Sequence, residues 1–169
     1  METWDALRAR RNVRTFTDQA ISQADLDRIT EAGWRAPSAS NTQPWDFVVC
    51  TDRELLTQLA TLWQGAGHVA TSAATIVLIA PVNDDRKAII EYDLGQATLQ
   101  MMVAAADLGI GTAHASIGEK DRAREILGFP DDKYAAYFIA MGYPADRPLK
   151  PIMKPNRRPI GEVVHYNHW

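Results

Sequence analysis

Ala36-Pro37-Ser38-Ala39-Ser40-Asn41-Thr42-Gln43-Pro44-Trp45, followed by Asp46-Phe47-Val48-Val49-Cys50, is the stretch on which the reading of this chain turns. It sets a dense run of polar side chains beside a rigid proline and a large flat indole. A solvated connection has no use for Trp45, and a core strand would leave so many donors and acceptors unpaired. Small-molecule sites combine apolar planes with a few placed polar groups in this way. Residues 36–45 therefore read as the wall of a ligand site, leading into a strand over 45–50.

Upstream, Arg10-Arg11-Asn12-Val13-Arg14 closes a first helix marked by Trp4 and Leu7. Three guanidiniums with a short amide among them offer forked donors to the oxygens of a phosphate. A basic run is, on its own, most often a solvated face. Positive charge at a helix C-terminus is also stabilising in itself.

Bulk properties bound what such a site serves. At 169 residues, 46% hydrophobic and 23% charged, the chain reads as one globular domain, residues 1–169, with apolar content for a real core. A net charge of -3 gives no general attraction to nucleic acid or to an anionic membrane, so the arginines read as a local anion site. Cys50 is the only cysteine, which excludes an internal disulfide and a cysteine-based metal site. No secretory h-region opens the chain, and a reducing cytoplasm is the expected compartment. The longest apolar run, 73–82, falls short of the roughly 20 residues of a spanning helix, so no membrane segment is expected.

Working outward, Ser22 with Asp25 resembles a capping box opening a helix in which Leu26 and Ile29 share a face, ending near Ala36-Pro37. Asp52 can cap a helix carrying Leu55, Leu56, Leu59 and Leu62, and 75–80 suits a buried strand. Residues 64–69 form a glycine-containing loop. The longest helical pattern covers about 86–108, with Ile89, Ile90, Leu94, Ala97, Met101, Ala104, Ala105 and Leu108 on one broad stripe. A strand over 111–116, a helix over 120–127 ended by Gly128-Phe129-Pro130, and a strand over 136–141 follow. The tail from 148 to 169 holds Pro148, Pro151, Pro155 and Pro159 and reads as an extended arm. Alternating helices and strands by themselves suggest a parallel doubly wound sheet.

The order Arg-Arg-Asn-Val-Arg-Thr-Phe over 10–16, then Ala-Pro-Ser-Ala-Ser-Asn-Thr-Gln-Pro-Trp-Asp-Phe over 36–47, resembles the FMN-dependent nitroreductase family. Asp93-Leu94-Gly95-Gln96-Ala97, Leu108-Gly109-Ile110-Gly111-Thr112, Gly142-Tyr143-Pro144 and Arg157-Arg158-Pro159-Ile160-Gly161-Glu162-Val163-Val164 are similar to further family landmarks, in the family's order. The resemblance spans nearly the whole chain. It implies a different architecture: an α+β fold with a mixed, largely antiparallel sheet flanked by helices in three layers, in an intertwined homodimer with FMN at the subunit interface. Val163, Val164, Tyr166 and Trp169, apolar groups without an evident local partner, suit an arm that crosses to another subunit.

The resemblance also implies roles. Arg10, Arg11, Asn12 and Arg14 would bind the FMN phosphate and ribityl oxygens, with Arg157 or Arg158 adding charge. Pro37, Ser38 and Ala39 would pack on the cofactor, with Asn41 and Gln43 bonding near the ring or ribityl chain. His114 and Ala115 would pack on the other side, while backbone groups of Ser116 and Ile117 approach the flavin N5 and O4. The expected activity is hydride transfer from NADH or NADPH, through FMN, to a small electrophilic acceptor such as a nitroaromatic or quinone. A more specialised flavin reductase, for dehalogenation or enoyl reduction, or a non-catalytic flavin-binding protein, is the alternative.

One departure stands out. Where the family often sets Lys or Asn against the flavin pyrimidine edge, the loop 64–69 offers only Gln64 and His68. Other constellations carry less. Ser38 and Ser40 lack a nearby base for nucleophilic catalysis, and Met101-Met102 is most simply core. Asp84-Asp85 and Asp131-Asp132 read as solvated turn residues, and no His/Cys/carboxylate cluster has metal-ligand spacing.

Overall fold

Ile76-Val77-Leu78-Ile79-Ala80 has no polar face to give to water, so the strand it forms must be central and covered on both sides. A computed structural model describes residues 1–169 apart from the side chain of Asp84, so the reading of Asp84 as solvated lies outside the described residues, while Asp85 is exposed in the short turn Asp84–Arg86. Strand β1 (Asp46–Cys50), β2 (Ala74–Pro81), β3 (Gly111–Ser116) and β4 (Lys133–Gly142) form one sheet in the order β1-β2-β4-β3. All three ladders are antiparallel. The doubly wound parallel sheet suggested by periodicity is thus corrected, and the α+β architecture implied by the resemblance is what forms. Alternation of helix and strand gives the spacing of elements and not their direction. Two-sided burial, which usually accompanies parallel sheets, added to the wrong signal. β2 and β3 do run the same way, but β4 is inserted between them.

Side chains alternate across the sheet into two cores, which makes three layers. Ile76 and Leu78 face helices α2 (Gln23–Trp34) and α4 (Lys87–Asp107), whereas Val77 and Ile79 pack with Leu56, Leu59 and Ala123 of α3 (Arg53–Ala60) and α5 (Lys120–Leu127). Local signals start and stop these helices. Ser22 Oγ accepts from the Asp25 amide at 3.1 Å, and Asp52 accepts from the Leu55 amide at 2.8 Å. Gly128, at φ 71°, closes α5 in the left-handed region. On α4, Ile90, Leu94, Ala97, Met101 and Ala105 are buried, while Ile89 turns outward and is 43% exposed, off the stripe to which periodicity assigned it.

Two boundaries differ in ways that matter for the site. Helix α1 (Thr3–Ala9) ends before the arginines, and Arg10 already has extended ψ of 124°. Residues 10–14 therefore run as extended chain along β3, with the Val13 amide donating to the Thr112 carbonyl at 2.9 Å. β4 starts at Lys133, earlier than the expected 136, because it pairs with the last residues of β2. After the Ile152 amide bonds the Arg8 carbonyl, the chain to Trp169 lies exposed.

Candidate functional site

An extended segment alternates its side chains, and this sorts the basic run. Val13 is buried, and Arg11 on the same side reaches Asp146 at 2.7 Å and the Arg147 carbonyl at 2.8 Å. Asp146 is held below the usual carboxylate range by that hydrogen bond first of all. Arg11 is therefore committed to tying the segment to the turn after β4. Arg10 and Arg14 have no carboxylate partner among the described residues, Arg10 making only a 3.5 Å contact to Asn12 Oδ1. Two guanidiniums are left free to receive an anion.

The segment is seated by contact. A Cβ on Gly111 would lie 2.6 Å from Val13 Cγ2, and one on Gly142 would lie 2.9 Å from the Phe16 ring. The absent side chains let residues 13–16 pack directly on β3 and β4.

The 36–45 loop is a tight polar knot. The Ser38 hydroxyl accepts from the Gln43 amide at 2.9 Å, the Ala39 carbonyl accepts from the Thr42 hydroxyl at 3.0 Å, and the Gln43 side chain donates to the Asn41 carbonyl at 3.1 Å. Ser40, Asn41 and Gln43 all have left-handed φ, of 53°, 54° and 49°. Each such residue costs on the order of 1 kcal/mol and persists only where surroundings over-determine it. Trp45 stacks on Phe47 with ring centroids 6.3 Å apart. Pro37, Asn41 and Gln43 are exposed, and Ser38 and Ala39 half-buried.

Between α4 and the edge strand β3 lies a cleft of about 450 Å³, lined by Arg10, Glu91, Gly95, Leu99, His114 and Tyr137 among others. Its size suits a small ligand, and its surface is mostly apolar with one guanidinium at the lip. Beyond the Asn12–Thr112 bridge nothing pairs with the outer edge of β3 among the described residues, so its backbone is open to a ligand. Ser116 and Ile117 line a smaller adjoining pocket that shares Glu91 and Tyr137 with the cleft. Ala115 is buried, against the core on the other side of the sheet, while His114 and Ser116 are exposed.

His68, in the short turn Gly67–Thr71, lies near Arg14 and the β3 residues Ala113 and His114. Its pKa is lowered from 6.5, first by burial and then by the charge of Arg14, with the Ala113 and Gly65 backbone acting the other way and His114 adding to the fall. It is therefore uncharged near neutral pH, and its Nε2 is buried without a partner. Thr112 Oγ1, on the β3 residue whose backbone bridges to Asn12, is also unpartnered among the described residues. Arg157 and Arg158 make local bonds only, to the Asn156 carbonyl and to Glu162.

A residue the sequence reading passed over underlies the loop. Asp93, 1% exposed, accepts the Ala39 amide on both carboxylate oxygens, at 3.2 and 3.1 Å, and the Gln96 side chain at 3.3 Å. The sequence marks it only as the first residue of the landmark Asp93-Leu94-Gly95-Gln96-Ala97, with no role of its own.

A family model described as the Nitroreductase family matches residues 7–66 and 61–143. A protein of Archaeoglobus fulgidus with the provisional name NADH dehydrogenase/NAD(P)H nitroreductase is 30% identical over 169 residues, covering 95% of this chain and 94% of that protein. The oxygen-insensitive NADPH nitroreductase of Salmonella typhimurium is 30% identical over 183 residues, covering 99% of this chain and 74% of that one. The solved structure of the NADPH:FMN oxidoreductase of Vibrio harveyi, complexed with NAD+, matches with a TM-score of 0.83 at 25% identity, over 97% of this chain and 76% of that one.

Proposed function

This chain belongs to the nitroreductase family, and on that premise we propose that it is an FMN-dependent oxidoreductase, taking hydride from NADH or NADPH and passing electrons to a small electrophilic acceptor such as a nitroaromatic or quinone. The observation that carries the reading is a pair of guanidiniums without carboxylate partners among the described residues, Arg10 lining an apolar cleft and Arg14 four residues along the same extended segment, beside an open strand edge. The unpartnered Nε2 of His68 fits the same reading, since a polar ligand edge would satisfy it. The names of the relatives support the nicotinamide donor and the flavin.

Arg10 and Arg14, with Asn12, would hold the FMN phosphate and neighbouring oxygens; Arg11 would act by fixing the segment. Pro37, Ser38 and Ala39 would form one wall, with Asn41 and Gln43 supplying hydrogen bonds. His114 would form the other, with the backbone of Ser116 and Ile117 facing the ring; Ala115, expected there too, points into the core on the opposite side of the sheet and could offer only its backbone. Bound FMN supplies the redox centre that this chain lacks. The protein's part is to bind, orient and exclude water. The charge of Arg14 acts on His68 and, after burial, helps to hold the imidazole pKa below 6.5.

The two walls would come from two copies of the chain. Residues 1–169 form one domain in this reading, and 148–169 an arm reaching across a homodimer and carrying Arg157 and Arg158 with it. Ile160 is 78%, Tyr166 86% and Trp169 100% exposed, and Tyr92 and Leu99 on the outer face of α4 are 72% and 50% exposed. So many exposed large apolar side chains suit an interaction surface. No helix among the described residues is long and apolar enough to cross a membrane, and a cytoplasmic enzyme is the reading that fits. Purification tests the proposal: the protein retains a yellow flavin, or takes up added FMN in preference to riboflavin. No uptake of either would contradict it.

A further inference from the structure

We propose that Asp93 is a positioning residue that locks the 38–43 loop in its left-handed conformation and so sets the ligand wall. Three observations converge on it. The loop places Ser40, Asn41 and Gln43 in a backbone region that side chains resist, so something outside the loop must hold it. Asp93 is a buried carboxylate without a cationic partner among the described residues, a costly group to keep unless its lone pairs are filled. The Ala39 amide and the Gln96 side chain fill them, and the Ala39 amide is the loop's one contact with this carboxylate.

The geometry explains why a carboxylate is needed. One amide shared by two oxygens fixes both the direction and the distance of the Ala39 backbone over α4, which a single acceptor would not. Ala39 also accepts, through its carbonyl, from the Thr42 hydroxyl and the Thr42 amide, so the hold on residue 39 passes directly to the turn that follows. The consequence for cofactor binding rests on the function proposed above. The lock on the loop does not.

Hydrogen exchange on the full-length protein tests the lock, using Asp93→Asn, which keeps size, and Asp93→Ala. The Ala39 amide is expected to exchange about threefold faster in the Asn variant and about tenfold faster in the Ala variant, the factor set by loss of one charge-assisted hydrogen bond. The amides of Ile76 and Leu78 in β2 should not move. If Asp93→Ala fails to fold, the Asn variant decides alone. Adding Ser40→Gly and Asn41→Gly should restore part of what is lost, because glycine adopts positive φ freely. FMN and riboflavin should both weaken by one common factor, since the wall faces parts the two share. Unchanged exchange at Ala39, or equal acceleration at Ala39 and in β2, would overturn the lock. Faster Ala39 exchange with unchanged flavin affinity would keep the lock and contradict the placement of the flavin.

Discussion

Val13 occupies the space that a side chain at Gly111 would need: a Cβ there would stand 2.6 Å from Val13 Cγ2, inside any real contact. This close approach holds Arg10 to Arg14 along β3, since the adjacent Val13 amide bonds the Thr112 carbonyl. Gly111→Ala should cost about 1 to 3 kcal/mol in denaturant unfolding, the range for overpacking a core. It should also weaken FMN, and Val13→Ala in the same chain should recover both. Normal stability for the single variant would mean that the segment is not seated by this contact.

Arg14→Ala removes one of the two guanidiniums of the 10–14 segment that have no carboxylate partner among the described residues. A hydrogen bond to a charged group contributes about 1.5 to 3 kcal/mol, so FMN affinity should fall roughly tenfold to hundredfold while riboflavin changes little. Titration of each flavin against the purified variant reads the difference. Equal loss for both would move Arg14 away from the phosphate.

Much of this was legible beforehand. The strand 111–116 and the helix 120–127 were read to the residue, because Gly111 and Gly128 punctuate them and Ser22 and Asp52 announce the helices they cap. Strand direction was not, since it depends on where the chain crosses and not on its pattern. The division between Arg11 and its neighbours became visible only once the helix ended at Ala9, because an extended segment alternates its faces and a helix does not. Asp93 stands in a family landmark but its role has no sequence signal: its partner is a backbone amide 54 residues away, and every residue but proline has one.

Removing residues from Lys150 onward should abolish dimerisation and flavin retention together, since the exposed tail and Arg157 and Arg158 leave in one step. Sizing chromatography with absorbance detection checks both. A truncated protein that stays dimeric and yellow would show that the tail does neither.

His68 makes stability depend on pH in a stated direction. Its folded pKa lies below 6.5, so as pH falls the unfolded chain takes up the proton first. The stability it contributes is complete above about pH 6.5 and is lost as pH falls through that value toward the folded pKa. Urea midpoints measured from about pH 7.5 to about pH 5.5 should drop more steeply for the native protein than for His68→Asn. Identical slopes would mean that the imidazole titrates as freely in the fold as outside it.

The central claim is electron transfer through a bound flavin, and anaerobic absorbance on the FMN-loaded protein measures it. Addition of NADH or NADPH should bleach the flavin band, and a quinone or nitroaromatic added afterwards should restore it. A flavin that stays oxidised with both nicotinamides, on protein that binds FMN tightly, would contradict the oxidoreductase reading and leave a flavin-binding protein in its place.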